Sequence, residues 1–180
     1  MKATGIVRRI DDLGRVVIPK EIRRTMRIRE GDPLEIYTDK DGEVIFKKYS
    51  PIGELSDFAI QYTDALSKTC GVPVIITDRD GVIAVAGIPK REVMEHRISG
   101  ELERVMELRK IYAYKTGESP FSPLIGNEKL LALVASPIIS EGDITGSVIM
   151  LMGDTSRAAI DSEIKLAQVA SIFLGRQLEP

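Results

Sequence analysis

The sequence has few of the residues from which metal sites, disulfides and nucleophilic catalysts are built. Its 180 residues include a single Cys (Cys70), a single His (His96) and no Trp. One Cys forms no intrachain disulfide, and one Cys with one His falls short of the ligand set of a structural zinc site. We expect Cys70 to be a buried structural thiol and His96 to be a solvated helix residue. These absences predict no metal, no cofactor and no catalytic residue.

Nucleotide-binding and membrane-spanning patterns are missing as well. Neither a P-loop nor a dinucleotide-binding glycine fingerprint occurs, and we expect no enzymatic activity. No apolar run approaches the ~18 residues of a membrane span. The first residues, MKATGIVRRID, lack the apolar stretch of a secretory signal. We therefore expect a cytoplasmic protein.

A strong separation of charge is what the sequence does contain. The first 29 residues carry nine Lys or Arg against three acids, a net charge of +6. The whole chain has a net charge of −2, so the remaining 151 residues carry −8. Arg outnumbers Lys seven to two in the basic segment, and the planar guanidinium forms paired hydrogen bonds with phosphate or guanine. This asymmetry is typical of a protein whose N-terminal end binds a polyanion.

Short elements fill the first 48 residues. Residues 4–10 and 14–18 are predicted to be strands around an Asp-to-Gly turn, and residues 19–26 a helix with Pro at its start. The run PLEIYTDKDGEVIFKK predicts a β-hairpin that turns at Asp41-Gly42. A unit of this size is too small to bury an adequate core alone, and it has no disulfide or metal to stabilise it. We therefore expect it to dimerise.

Cations and apolar residues separate on the predicted helix. At about 100° per residue, Ile22, Thr25 and Met26 share one face. The cations lie within one arc on the opposite side, which contains no acid, and they are Lys20, Arg23, Arg24 and Arg27. A solvated basic face is the simple alternative.

Arginines on the preceding strands extend the cationic surface of the helix, and they are Arg8, Arg9 and Arg15. This extension favours nucleic-acid binding by a composite surface of strands and short helix. A two-turn helix with no partner helix before it is not a helix-turn-helix motif.

The run GIVRRIDDLGRVVIPKEIRRTMRIREGDPLEIYTDKDGEVIFKKY resembles the swapped-hairpin DNA-binding domain of the AbrB family of bacterial transition-state regulators. The resemblance covers residues 1–50, with GRVVIPKEIRR as its most specific motif. It implies a mainly β unit in which two chains interleave their hairpins into one dimeric barrel, with double-stranded DNA as partner. The implied DNA-facing residues are Arg8, Arg15, Arg23 and Arg24, with Lys2 and Arg9 near them and Lys20 as a secondary phosphate contact.

The rest of the chain predicts an α+β domain after a short linker. Residues 51–55 carry Pro and Gly and are predicted to be the linker, and residues 56–180 the domain. Its order is a helix, two strands, a charged helical segment broken near Ser99-Gly100, a long loop, two strands and a final helix. This order resembles a GAF domain, a small-molecule-sensing module, and implies a pocket between the sheet and the elements that cover it.

One loop and three polar residues bear on that pocket. The loop YKTGESPFSPLIGNEK, residues 114–129, is a candidate lid, because long loops in compact domains are commonly functional. Ser136, Thr145 and Ser147 interrupt apolar strands, and we expect them to face solvent. The sequence identifies no ligand and no ligand-binding residue.

Two helices carry apolar residues that could pair chains. Residues 55–69 show one apolar seam at helical spacing. The final helix, residues 156–179, shows two stripes; one is Ile160, Ile164, Ala167, Leu174 and Leu178, and the other is Ala159, Leu166, Ala170 and Phe173. We expect a homodimer through the N-terminal domain and a tetramer through these helices. The open alternative is a broad face buried within one domain.

The expected function is that of a bacterial transcription regulator with a sensing domain, acting as activator or repressor. Its assignment to sporulation genes comes from the resemblance of the whole architecture to sporulation regulators. The first alternative is a general transition-state or metabolic regulator of the same build. The second is an antitoxin-like interaction protein, because the swapped-hairpin fold also serves antitoxins. Antitoxins usually end in a disordered toxin-binding tail, whereas this chain continues into a predicted folded domain.

Overall fold

The computed structural model describes residues 5–153 and 156–179. The chain divides into two compact units, Met1–Tyr49 and Ser50–Pro180. Among the helices of the described residues, none combines the length and the apolar composition of a membrane span.

The first unit contains a short helix followed by a hairpin. Helix α1 spans Lys20–Met26, and antiparallel strands β1 (Leu34–Thr38) and β2 (Val44–Lys48) pair over their whole length. The turn between them is closed by the Asp39 carboxylate, which accepts from the backbone N–H groups of Asp41 and Glu43 at 3.0 and 2.9 Å. The predicted helix and hairpin are both confirmed.

The predicted strands at residues 4–10 and 14–18 are not present as strands in the described chain. A strand is defined by ladder pairing with another backbone. Here two backbone hydrogen bonds, from Asp11 N to Arg15 O at 3.0 Å and from Gly14 N to Asp11 O at 3.1 Å, close the turn, and among the described residues neither pairs the two predicted strands with each other. The turn predicted between them does form, with Gly14 at φ 76°.

The first unit leaves its apolar side chains largely uncovered. Pro19 is its one buried residue among those described. Val7 is 85% exposed and Ile36 61% exposed. Other exposed large apolar residues of this unit are Ile10, Leu13, Val17 and Val44. The apolar content of this unit is thus sufficient for a core, but the described residues of the unit supply no second layer to cover it.

The second unit begins where a linker was predicted, and that prediction is wrong for most of residues 51–55. Pro51–Glu54 form a helix, α2, because Ser50 caps it by accepting from the backbone N–H of Gly53 at 3.2 Å. Ile52 is fully buried in the core of the second unit. Helix α3 follows directly, over Ser56–Cys70.

A five-stranded antiparallel sheet in the order β4-β3-β7-β6-β5 forms the centre of the second unit. The strands are β3 (Val74–Thr77), β4 (Val82–Ala86), β5 (Tyr112–Ala113), β6 (Ala132–Ser140) and β7 (Asp143–Leu151). Alternate residues face opposite sides. Val74 and Ile76 pack with α3 and the C-terminal helix α5 (Asp161–Gln177), whereas Ile75 packs with α4 (Gly100–Glu107).

Both faces of the sheet are therefore buried, which overturns the expectation that its polar residues face solvent. Ser136, Thr145 and Ser147 are 3%, 8% and 0% exposed. Buried hydroxyls require hydrogen-bond partners. Ser136 pairs with Ser171 and Ser147 with Thr77, both at 2.7 Å between oxygens, and Thr145 donates to the Ile138 carbonyl at 3.2 Å.

The charged segment before α4 is not the helix that was predicted. One 3₁₀ turn occupies Lys90–Glu92, and Ser99 caps α4 by accepting from Leu102 N at 3.2 Å. Between them, Ile98 forms an isolated β-bridge with Leu124 in the long loop. A β-bridge requires extended backbone, so the residues just before α4 do not form a helix.

His96 therefore lies outside any helix and is half-buried, so its predicted setting is wrong. Its Nδ1 lies 2.8 Å from the carbonyl oxygen of Ile125. Cys70 is half-buried at the end of α3, and burial raises the pKa of its thiol.

The buried face of helix α5 includes residues from both of the predicted apolar stripes. Ala167, Ala170 and Leu174 are fully buried against the sheet. Glu163 is buried near the start of the helix, where it accepts from Ile160 N at 3.0 Å and from the Arg157 guanidinium at 2.9 Å. The Arg157 guanidinium lowers the pKa of the Glu163 carboxyl below its ordinary value.

Replacing Gly175 by Ala should destabilise the protein, although Ala is the better helix former. A Cβ at this position would clash with the backbone carbonyl oxygen of Ile139 on β6. We expect the free energy of unfolding, measured by urea denaturation, to fall by about 2 kcal/mol. Gly100→Ala in α4 is the matched control, because a Cβ there meets no atom within 4 Å. Equal stabilities for the two variants would contradict this packing.

Candidate nucleic-acid interface

The cations of α1 are exposed along one side of a well-terminated helix. Pro19 precedes the helix, and Arg27 ends it in the left-handed conformation at φ 52°. Lys20, Arg23 and Arg24 are all exposed. Within the described part of the chain, none of these three side chains forms an ion pair, so their charge is directed to solvent.

The opposite side of α1 is only partly covered within the single chain. Ile22 is half-buried, whereas Met26 is 53% exposed and Thr25 is exposed. The Thr25 hydroxyl donates to the Glu21 carbonyl oxygen at 2.9 Å, a bond within the helix. The predicted separation of cations from apolar residues is present, but the apolar side lacks a complete packing partner in this chain.

The arginines before α1 differ in how firmly they are held. Arg8 and Arg9 are exposed, and the Arg8 guanidinium donates a long hydrogen bond of 3.4 Å to the Val7 carbonyl oxygen. Arg15 is held by Asp11, whose Oδ2 accepts from Arg15 Nε at 2.8 Å. Lys2 lies outside the described residues.

Asp11 organises the whole turn that carries Arg15. Its Oδ1 accepts from the backbone N–H groups of Leu13 and Arg15 at 3.0 and 2.8 Å. The Arg15 amide and then the Arg15 guanidinium lower the pKa of the Asp11 carboxyl below its ordinary value. The Asp-to-Gly spacing predicted this turn, whereas the contact between the two side chains was missed.

A partly buried ion pair fixes the end of α1 on the hairpin. Lys48 Nζ, on β2, donates to the carbonyl oxygen of Arg27 at 2.9 Å and lies 3.5 Å from Asp32 Oδ2. The Asp32 side chain is 3% exposed and also accepts from Arg29 N at 2.8 Å. Sequence reasoning missed this pair, because its members are 16 positions apart and follow no periodic pattern.

A partly exposed aromatic cluster joins α3 and α5 in the second unit. The rings of Phe58, Tyr62 and Phe173 have centroid separations of 5.7 to 6.2 Å. Val169 and Ile172 on α5 are 57% and 52% exposed. These five residues, called the α3/α5 patch below, form a partly exposed apolar surface on the helices predicted to pair chains.

The other face of the sheet is closed over by the long loop. Leu124 of the loop is buried beside Ile98 and Leu102, and Pro123 O accepts from Ser99 N at 2.9 Å. Tyr112 on β5 packs edge-on against Phe121 with centroids 4.8 Å apart, and burial raises the pKa of its phenol. Loop 114–129 thus covers the sheet with its own apolar side chains.

Two family models match the chain. "Stage V sporulation protein T C-terminal, transcription factor" matches residues 54–179, and "Antidote-toxin recognition MazE, bacterial antitoxin" matches residues 7–53. Stage V sporulation protein T of Bacillus subtilis (strain 168) is 51% identical over 179 residues, covering 99% of both chains. Transition state regulatory protein AbrB of the same organism is 59% identical over 63 residues, covering 32% of this chain and 65% of AbrB.

Solved structures identify the fold of the second unit. The GAF domain of a phosphoenolpyruvate-protein phosphotransferase from Coxiella burnetii aligns with a TM-score of 0.55 at 17% identity, covering 69% of this chain and 82% of that one. A GAF domain/HD domain protein from Geobacter sulfurreducens aligns with a TM-score of 0.52 at 16% identity, covering 69% and 91%. The second unit has the GAF fold, as its order of elements predicted.

Replacing Lys48 by Met should lower the free energy of unfolding by about 2 kcal/mol. The change removes an ammonium partner from the nearly buried Asp32 carboxylate and a donor from the Arg27 carbonyl. Urea denaturation at fixed protein concentration measures it. Lys47→Met is the control on the same strand, since Lys47 is exposed and its contact is the Tyr37 ring at 5.9 Å. A loss no larger than that of Lys47→Met would show that the pair is not stabilising.

Proposed function

The chain belongs to the family of stage V sporulation protein T, a family of transcription factors, and from this membership we propose that it regulates sporulation genes by binding double-stranded DNA. The residues proposed to contact DNA are Arg8, Arg9, Arg15, Lys20, Arg23 and Arg24. The observation that carries the proposal is that all six are exposed in a segment of net charge +6. Such a surface gains affinity for phosphates through the release of counterions.

The proposed DNA-binding form is a homodimer of the first unit. Its apolar residues, Val7 and Ile36 among them, are exposed in the single chain. Covering them with a second copy would supply the missing core through the hydrophobic effect. It would also double the cationic surface and give a two-fold symmetric protein suited to a palindromic site.

A second pairing, through the α3/α5 patch, would make the protein a tetramer. The patch combines three aromatic rings with two aliphatic side chains that are more than half exposed. Contiguous exposed apolar surface of this kind is typical of protein interfaces. The partner proposed for it is a second copy of the same unit.

The GAF-like unit is proposed to sense a small molecule and to pass that signal to the DNA-binding units. Loop 114–129 closes one face of the sheet through Leu124 and Pro123, so a ligand there would have to displace or reshape the loop. Coupling between the two sites would follow if ligand binding favours one arrangement of paired chains. We propose no catalytic role for this protein and a cytoplasmic location.

Two alternatives remain distinct from this proposal. A general transition-state or metabolic regulator would use the same surfaces on other promoters. An antitoxin-like interaction protein is supported by the match of residues 7–53 to the antitoxin model. The chain continues into a second compact unit, Ser50–Pro180, rather than a tail, which favours the regulator. Co-purification of a toxin would favour the antitoxin.

Arg23→Ala and Arg24→Ala should each reduce the salt dependence of DNA binding. Each lost phosphate contact flattens the slope of log affinity against log salt by about one unit. Fluorescence anisotropy with a labelled duplex over a series of KCl concentrations measures the slope. Arg91→Ala, an exposed arginine in the second unit, should leave it unchanged. Slopes equal to wild type for both α1 variants would remove α1 from the interface.

Phe173→Glu should halve the mass of the assembly. A carboxylate in the α3/α5 patch would have to lose its hydration on pairing, which costs far more than an apolar contact gains. Sedimentation equilibrium should give a tetramer for wild type and a dimer for the variant. Gln168→Glu, which adds the same charge at an exposed position of the same helix, should remain tetrameric. A tetrameric Phe173→Glu variant would place the interface elsewhere.

A further inference from the structure

The Asp11–Arg15 pair immobilises both the backbone and the side chain of one proposed DNA-binding residue. Arg15 N donates to Asp11 Oδ1 at 2.8 Å, and Asp11 N donates to Arg15 O at 3.0 Å. The Arg15 side chain is tied as well, since its Nε donates to Asp11 Oδ2 at 2.8 Å. Among the six proposed DNA-binding residues, Arg15 is the one whose guanidinium has an ion-pair partner among the described residues.

The contact leaves the binding edge of the guanidinium free. Asp11 bonds Nε, so the edge formed by the two Nη atoms has no partner among the described residues. The Arg15 side chain is 69% exposed, whereas that of Asp11 is 35% exposed. An edge with two N–H donors matches a pair of acceptors, such as two phosphate oxygens or O6 and N7 of guanine.

A carboxylate in this place is unfavourable to DNA binding by charge alone. It offsets one of the nine positive charges of residues 1–29 next to the polyanion's proposed site. Its neighbour Asp12 is exposed and makes no side-chain hydrogen bond among the described residues. Two adjacent acids therefore have the same formal charge and different structural roles.

We propose that Asp11 is a positioning residue for DNA recognition, which holds the Arg15 guanidinium with its Nη edge toward a pair of acceptor atoms on DNA. The proposal rests on the proposed function, because it requires that Arg15 contacts DNA. Asp11 itself does not touch DNA. Ordering a long, flexible side chain before binding removes that entropy cost from the binding step.

Asp11→Asn in the full chain separates positioning from charge. The Asn side-chain oxygen can still accept from Leu13 N and Arg15 N, but its amide cannot accept from Arg15 Nε. The variant also gains one unit of positive charge relative to wild type. Pure electrostatics therefore predicts tighter DNA binding, and loss of positioning predicts weaker binding.

The measurement is the dissociation constant for a duplex that the wild-type protein selects from a random-sequence pool, and for a scrambled duplex of the same composition. We expect Asp11→Asn to bind the selected duplex about three- to ten-fold more weakly. Asp12→Asn, with the same charge change, should bind as tightly as wild type or more tightly. A loss confined to the selected duplex would identify guanine as the acceptor pair, and an equal loss on both duplexes would identify phosphate.

An Arg15→Ala background tests whether Asp11 acts through Arg15. Adding Asp11→Asn to Arg15→Ala should weaken binding no further, because the residue to be positioned is gone. A further loss in that background, or a wild-type affinity for Asp11→Asn alone, would overturn the positioning role while DNA binding stands. A wild-type protein that binds neither duplex would overturn the proposed function together with this inference. Unchanged thermal unfolding of Asp11→Asn is the check that the turn is intact.

Discussion

The first unit depends on burial of apolar surface that its own chain leaves exposed. A helix of seven residues and two strands of five give one thin layer, with Pro19 as the one buried residue among those described. Side chains such as Val7 and Val17 are 85% and 70% exposed, and each would stabilise a fold by roughly 1.5–3 kcal/mol if covered. In the proposed dimer, pairing of chains and DNA binding would therefore be linked, because the surface that carries the arginines would become rigid when its opposite side is packed.

The second unit buries its apolar surface within a single chain. Its sheet is covered on one side by α3 and α5 and on the other by α4 and the long loop. Residues such as Ile75 and Ile76, adjacent in sequence, enter different cores and are both fully buried. With its core complete, this unit can use its remaining apolar surface, the α3/α5 patch, for association between chains rather than for its own folding.

Local patterns predicted most elements, and the errors over buried polar residues came from long-range contacts. The hairpin around Asp41-Gly42 and the helix after Pro19 are set by turn residues and by proline, which act within a few positions. Ser136 and Ser147 were placed in solvent because a polar residue in a strand usually marks an open face. Here their partners, Ser171 and Thr77, are 35 and 70 positions away. The cationic residues of the candidate site could be predicted from composition and helix geometry, whereas the Asp32–Lys48 pair could not.

The acids of the first unit show how a strongly basic surface keeps a defined shape. Asp32 is nearly buried and ties Lys48 and the backbone of Arg29 to the end of α1. Asp11 closes the turn before α1 by accepting from Arg15 N, and its other carboxylate oxygen accepts from Arg15 Nε. Neither acid neutralises Arg23 or Arg24, so these two keep their full charge at the surface. The acids hold the backbone in place, and the outward-facing Arg23 and Arg24 keep their positive charge. The resulting surface is both ordered and attractive to a polyanion. A uniformly basic segment without such acids would attract a polyanion but would lack this order.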